Sequence, residues 1–93
     1  MPYMYILKCS DGSYYTGSTW SLEPRIEQHD AGEGAHYTRC RLPVELIYQE
    51  YYESIKAAFE REKQVQKWSR KKKEALIKSE HKELPVLAKK VFE

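Results

Sequence analysis

Long apolar stretches are missing from this 93-residue chain. None approaches the roughly 20 residues needed to cross a bilayer, and no basic segment followed by an apolar run stands at the N-terminus. The expectation is a soluble, cytoplasmic protein with no membrane partner. Cysteine is nearly absent: Cys9 and Cys40 are the only two, and they lack CxxC spacing. A reduced compartment without a zinc site is the simple reading. No Asp/Glu cluster, internal repeat or dividing linker is present, so residues 1–93 read as one domain with a modest core. Disorder is not expected at 41% hydrophobic content.

Basic residues are scarce in the first half and abundant in the second. Residues 1–50 hold four Lys/Arg against seven Asp/Glu, and residues 51–93 hold twelve against seven. Within Arg61–Lys73 there are seven basic residues and a single acid, Glu62. Such a patch suits a polyanion, although a solvated helix face has the same composition.

Tyrosine is what the chain has in excess, with eight in all and four in the segment Tyr3–Gly17. Tyr3–Lys8 reads as a strand from its aromatic and branched content. Asp11-Gly12 is a hairpin signal, because glycine accepts the positive φ of tight turns. Tyr14–Thr16 returns as a second strand that Gly17 ends. Pairing centred on Ser10-Asp11 sets Tyr5 and Tyr15 roughly opposite, facing a cleft, with Tyr14 facing away and Tyr3 flanking.

Further along, Ser21 is placed to cap a helix from Leu22 to Ala31, with Pro24 in its first turn. Gly32–Pro43 has no period and reads as a loop, and Val44–Tyr48 as a third strand extending toward Tyr51. Ser54 caps a helix from Ile55 to about Trp68 whose apolar stripe is Ile55, Ala58, Phe59, position 62 and Val65. Ser69 breaks and recaps the chain before a helix from Arg70 to Ser79. The tail, 79–93, is expected to be helical. The fold class is therefore α+β: a small three-stranded antiparallel sheet flanked by helices.

Three groups of residues could carry chemistry. Glu62 sits on the buried stripe, where an unpaired carboxylate is costly by several kcal/mol, roughly; it must be paired with a base, hydrated or bound to a cation. Arg25 and His29, four apart, share a helix face; the arginine fork matches phosphate oxygens and the histidine can move a proton near neutral pH, yet an exposed helix face also carries such pairs idly. Tyr5 and Tyr15 can orient water or pass a proton if a cation is near. They can equally be sheet packing.

Taken in order, these features resemble the GIY-YIG nuclease superfamily, most closely its small, single-domain bacterial branch. Tyr3-Met4-Tyr5 corresponds to the first family tripeptide and Tyr15-Thr16-Gly17 to the second. Leu22–His29 is similar to the family's Arg/His helix, Gly32–Arg39 to the loop of the small branch, and Ala57–Trp68 to the glutamate-bearing helix. The likeness runs from about residue 3 to 78. It departs at Tyr3 and Met4, which replace Gly and Ile, at Thr16, which replaces Ile, and at Pro24 just before the arginine.

The resemblance implies an endonuclease in the setting of DNA repair. It would hydrolyse phosphodiester bonds in DNA with one divalent ion, Mg²⁺ or Mn²⁺, and Glu62 as sole protein ligand. Catalysis would fall to Tyr5, Tyr15, Arg25, His29 and Glu62. The nucleic acid would meet Gly17, Lys8, Thr38, Arg39, Arg41, Lys63, Lys67 and Arg70. With no base-reading element, selection by substrate structure rather than sequence is expected. The alternative is a nucleic-acid-binding module with little or no cleavage activity.

Overall fold

A computed structural model describes residues 1–83. The elements run β1 (Tyr3–Lys8), β2 (Tyr14–Thr19), α1 (Leu22–Asp30), α2 (His36–Arg39), β3 (Glu45–Tyr51), α3 (Ile55–Gln66) and α4 (Arg70–Glu83). The three strands form an antiparallel sheet in the order β2-β1-β3, so β1 is central and β2 is an edge. The α+β class is as expected. The part of the expected helical tail beyond Glu83 lies outside the described residues.

Alternation along β1 feeds both faces of the sheet. Met4 and Ile6 pack with Tyr48 and Val65, joined by Tyr14, Trp68, Leu76 and Ile77 on the α3/α4 side. Tyr5 and Leu7 pack with Cys9 and Val44, joined by Tyr15, Leu22, Ile26 and Tyr37 on the α1/α2 side. A bulge between Ile6 and Leu7 moves the β3 register from Tyr48 to Leu46. Leu46 and Tyr48, two residues apart, therefore feed opposite faces.

The hairpin turn is centred on Asp11, not on Ser10-Asp11. Gly12 takes φ +85, Cys9 N–H donates to Ser13 O, and Asp11 Oδ1 accepts from Ser13 N–H and Oγ–H. That shift sets Tyr5 opposite Gly17 and Tyr15 opposite Leu7. The two tyrosines are diagonal neighbours, 6.5 Å between ring centres. Gly17 does not end β2, which continues to Thr19.

Other expectations shift for local reasons. Ser21 precedes α1 but makes no side-chain cap; Thr19 Oγ1 instead donates to Ser21 O. The Gly32–Pro43 loop contains the short helix α2. Ser54 does cap α3, accepting from Ala57 N–H at 3.1 Å, and Ser69 caps α4 through Lys72 N–H. Phe59 leaves the buried stripe: Ala58, Glu62 and Val65 are the buried residues of α3, while Phe59 is 48% exposed. One residue is about 100° of helix, enough to carry Phe59 from Ala58's face out to solvent.

Candidate active site

The site is built around the edge strand β2. On its α3 side, Ser18 Oγ–H donates to Glu62 Oε1 at 2.6 Å, and Gln66 donates one amide N–H to Glu62 Oε2 at 2.7 Å. The same amide group reaches Thr16 O at 3.2 Å, pinning α3 to β2. Glu62 is 9% exposed. Among the described residues no Lys, Arg or His lies within ion-pair distance of it. A buried carboxylate normally finds a countercharge; this one has only neutral donors, and each oxygen retains accepting capacity.

On the other side of the strand, Tyr5 passes behind Gly17. A Cβ on Gly17 would lie 2.6 Å from the Tyr5 hydroxyl, so the glycine is required by the tyrosine ring and is itself buried. Gly17, expected to meet nucleic acid, is thus placed against the Tyr5 ring. Tyr5 Oη lies 3.0 Å from His29 Nε2, and His29 Nδ1 lies 2.8 Å from Thr38 Oγ1. Thr38 spends its only proton on Ala35 O. Its oxygen must therefore accept from His29 Nδ1–H. Neutral imidazole then has a bare Nε2, and Tyr5 is the donor to it. Burial, then the Arg25 charge, pushes His29 below the ordinary histidine range, with Asp30 opposing; the neutral ring is the form held. Thr38, expected at the nucleic-acid surface, is fully buried and orients His29 instead.

Tyr15 is half-buried beside this chain of bonds. Its ring is 5.4 Å from His29 and stacks on Tyr37 at 6.1 Å, yet its hydroxyl has no hydrogen-bond partner among the described residues. Burial and the Glu62 charge raise the Tyr15 phenol above its usual range, and Arg25 counteracts. Tyr5 is raised well above its usual range by burial first, then by the charges of Tyr15 and Glu62, again opposed by Arg25. Tyr5 and Tyr15 thus belong to the sheet face opposite the one α3 covers, and they feel Glu62 around the edge strand. Arg25, on α1, acts on Tyr5, Tyr15 and His29 alike. Among the described residues its guanidinium has no acidic partner. Tyr5, Tyr15 and His29 come together on the α1/α2 side of the sheet, whereas Glu62 lies on the α3 side; Tyr5, expected to face a cleft, is 1% exposed.

The expected nucleic-acid contacts divide. Lys8, Arg39, Lys63 and Lys67 are exposed. Arg41 is occupied: it pairs with Asp11 at 3.0 Å, donates to Tyr37 O and lies over the Tyr37 ring. Arg70 pairs with Glu74, donates to Gly12 O and lies over Tyr14, anchoring α4 to the hairpin turn. Arg61, within the basic run, is bound by both oxygens of Glu50. The basic run is thus part clamp and part free surface.

Several residues that complete the arrangement escape sequence reasoning. Gln66 lies one helical turn from Glu62 and was findable from that spacing. Ser18 and Thr38 reach their partners only through tertiary contact. Gly34 lets His29 in, since a Cβ there would lie 2.4 Å from Nδ1.

A sheet of this order flanked by helices, with an edge-strand glycine against a buried tyrosine and a helix-borne glutamate, defines a small α+β domain. Residues 1–75 match the family model of the GIY-YIG catalytic domain, and the chain belongs to that nuclease family. A UPF0213 protein of Natronomonas pharaonis is 50% identical over 78 residues, covering 84% of this chain and 92% of the relative. A UPF0213 protein of Staphylococcus aureus is 49% identical over 76 residues, covering 82% and 93%. The solution NMR structure of the UPF0213 protein of Bacillus halodurans matches with TM-score 0.55 at 44% identity, covering 84% of each chain. A solution NMR structure of an E. faecalis protein matches with TM-score 0.57 at 41% identity, covering 85% and 84%. No helix among the described residues is long and apolar enough to cross a membrane.

Proposed function

We propose that this chain is a metal-dependent endonuclease that hydrolyses phosphodiester bonds in DNA, selecting for substrate structure rather than base sequence. The observation that carries the reading is Glu62: a buried carboxylate held by Ser18 and Gln66, with no base in ion-pair range among the described residues. Among the described residues no group of three or more His, Cys, Asp or Glu could hold a metal. A single carboxylate fits Mg²⁺ or Mn²⁺, which keep most of their ligands as water and substrate oxygens. Such an ion, when bound, supplies Lewis-acid stabilisation of charge developing on the phosphate.

The chain's own residues supply the rest. Arg25, without an acidic partner, is free to bind a non-bridging phosphate oxygen and offset transition-state charge. Tyr15, whose hydroxyl is uncommitted, is the group that meets the attacking water. Tyr5 donates a hydrogen bond to the bare Nε2 of His29, and Thr38 keeps that nitrogen bare. Lys8, Arg39, Lys63 and Lys67 hold the backbone by salt-sensitive contacts without sequence information.

The test is cleavage of nicked, branched and single-stranded DNA with Mg²⁺ or Mn²⁺, wild type beside Glu62→Ala. The expected result is cleavage by wild type, lost in a variant whose unfolding midpoint is unchanged or higher. Salt-sensitive binding without cleavage would reduce the chain to a binding module. Strong destabilisation of Glu62→Ala without metal would make Glu62 structural and overturn the reading.

A further inference from the structure

No hydrogen bond to the described residues fixes where the Tyr15 hydroxyl stands. A phenol oxygen lies on the axis of its ring, so the contacts that hold the ring decide its place. Three rings surround that of Tyr15: His29 at 5.4 Å, Tyr37 at 6.1 Å and Tyr5 at 6.5 Å between centres. Tyr5 and His29 are held by the bonded chain that runs through Thr38 to Ala35 O. Tyr37 is the ring nearest to parallel with Tyr15, at 27°. It stands on α2, which has four residues, too short a helix to hold a side chain in place by itself.

Arg41 supplies the missing support. Its guanidinium carbon lies 3.9 Å from the Tyr37 ring centre, Nη1 donates to Tyr37 O at 3.0 Å, and Nε pairs with Asp11 at 3.0 Å. Main-chain bonds close the same junction: Arg41 N–H donates to Thr38 O, and Ser10 N–H donates to Arg41 O. Asp11 is itself fixed in the hairpin turn by Ser13. A continuous set of contacts thus runs from the turn through Arg41 and Tyr37 to Tyr15. One planar guanidinium makes the ring contact and both hydrogen bonds at once, which a lysine ammonium cannot match. The charges that act on the Tyr15 phenol are those of Glu62 and Arg25, so Arg41 reaches Tyr15 through the Tyr37 ring rather than through its charge.

We propose that Tyr37 and Arg41 are positioning residues: the stack of Arg41 on Tyr37 fixes the Tyr15 ring, and with it the place where the Tyr15 hydroxyl meets water. The assignment deepens the nuclease reading and rests on it for its purpose, but the positioning can be read without cleavage. In the full chain with ring-¹³C tyrosine, the Tyr15 NMR signal is identified by its loss in Tyr15→Phe. Tyr37→Leu and Arg41→Gln are both expected to move that signal, and Tyr37→Phe, which keeps the ring face, to leave it near its wild-type position. Arg41→Gln added to Tyr37→Leu should move it no further, because both act through one contact. In cleavage of nicked or branched DNA with Mg²⁺ or Mn²⁺, Tyr37→Leu is expected to lower kcat about 10- to 100-fold at unchanged KM, with Tyr37→Phe close to wild type. Circular dichroism checks folding, and Arg41→Gln, at a side chain about one-third exposed, reads the same stack if Tyr37→Leu does not fold. A Tyr15 signal unmoved by Arg41→Gln, or moved as far by Tyr37→Phe as by Tyr37→Leu, overturns the proposal. So does wild-type kcat in Tyr37→Leu, whether KM is unchanged or raised. Failure of the nuclease reading appears separately, as no cleavage of any DNA by wild type while the Tyr15 signal responds as expected.

Discussion

Replacing Gly17 by alanine tests how tightly the site is packed across the edge strand. The added Cβ would lie 2.6 Å from Tyr5 Oη, 2.7 Å from Tyr5 Cζ and 3.1 Å from Tyr15 Cε2. Comfortable carbon contacts begin near ~3.5 Å, so the Tyr5 ring must retreat by roughly 1 Å. It has little room, being 1% exposed with its hydroxyl tied to His29 at 3.0 Å. His29 is equally buried and is backed by Gly34. Overpacking costs about 1–3 kcal/mol, and stretching the Tyr5–His29 bond adds about 1 kcal/mol. A total of about 2–4 kcal/mol corresponds to a fall in Tm on the order of 10–30 °C for a domain of this size. Urea unfolding at neutral pH measures the loss. Tyr5→Phe in the Gly17→Ala background should cost less than it does in wild type, because the strained hydroxyl is already compromised. Stability of Gly17→Ala within about 0.5 kcal/mol of wild type would show that Tyr5 is not held as described.

Three other expectations follow from the packing. Thr16 Oγ1 is buried without a partner among the described residues, so Thr16→Val should stabilise by about 1 kcal/mol in urea unfolding. Glu50 accepts from Tyr48, Tyr52 and Arg61; Glu50→Ala strands the guanidinium and should cost about 2–3 kcal/mol, below the fully buried case because the pair is about one-fifth exposed. His29 is held below its unfolded pKa of about 6.5, so the unfolded chain takes up the proton first as pH falls. Stability should be full above about pH 6.5 and decline as pH falls toward the folded value, a slope that His29→Gln flattens.

Much of the fold was legible because local signals agreed. Asp11-Gly12 sets the turn, Ser54 and Ser69 cap their helices, and the alternation in β1 assigns two cores. The misreadings came from single-residue offsets. A turn centred on Asp11 instead of Ser10-Asp11 changes Tyr5's partner from Tyr15 to Gly17, and 100° of helix moves Phe59 from core to surface. The candidate site was legible as residue types but not as roles. Composition cannot tell a cation bound to Glu50 or Asp11 from one facing solvent, which is why Arg61 and Arg41 read as surface. Nor can it tell that Thr38 turns inward, since that depends on α2 folding against α1. Glu62 was legible for the opposite reason: a charge on a buried stripe conflicts with the helix around it.

The proposed function rests on Glu62 as the carboxylate this chain offers to a divalent ion. Line broadening by substoichiometric Mn²⁺ in amide NMR spectra tests it directly, in wild type and in Glu62→Gln. The amides of Ser18, Glu62 and Gln66 are expected to broaden first, and Glu62→Gln to abolish the effect while keeping the spectrum of a folded protein. Broadening centred elsewhere, or undiminished in Glu62→Gln, would contradict it.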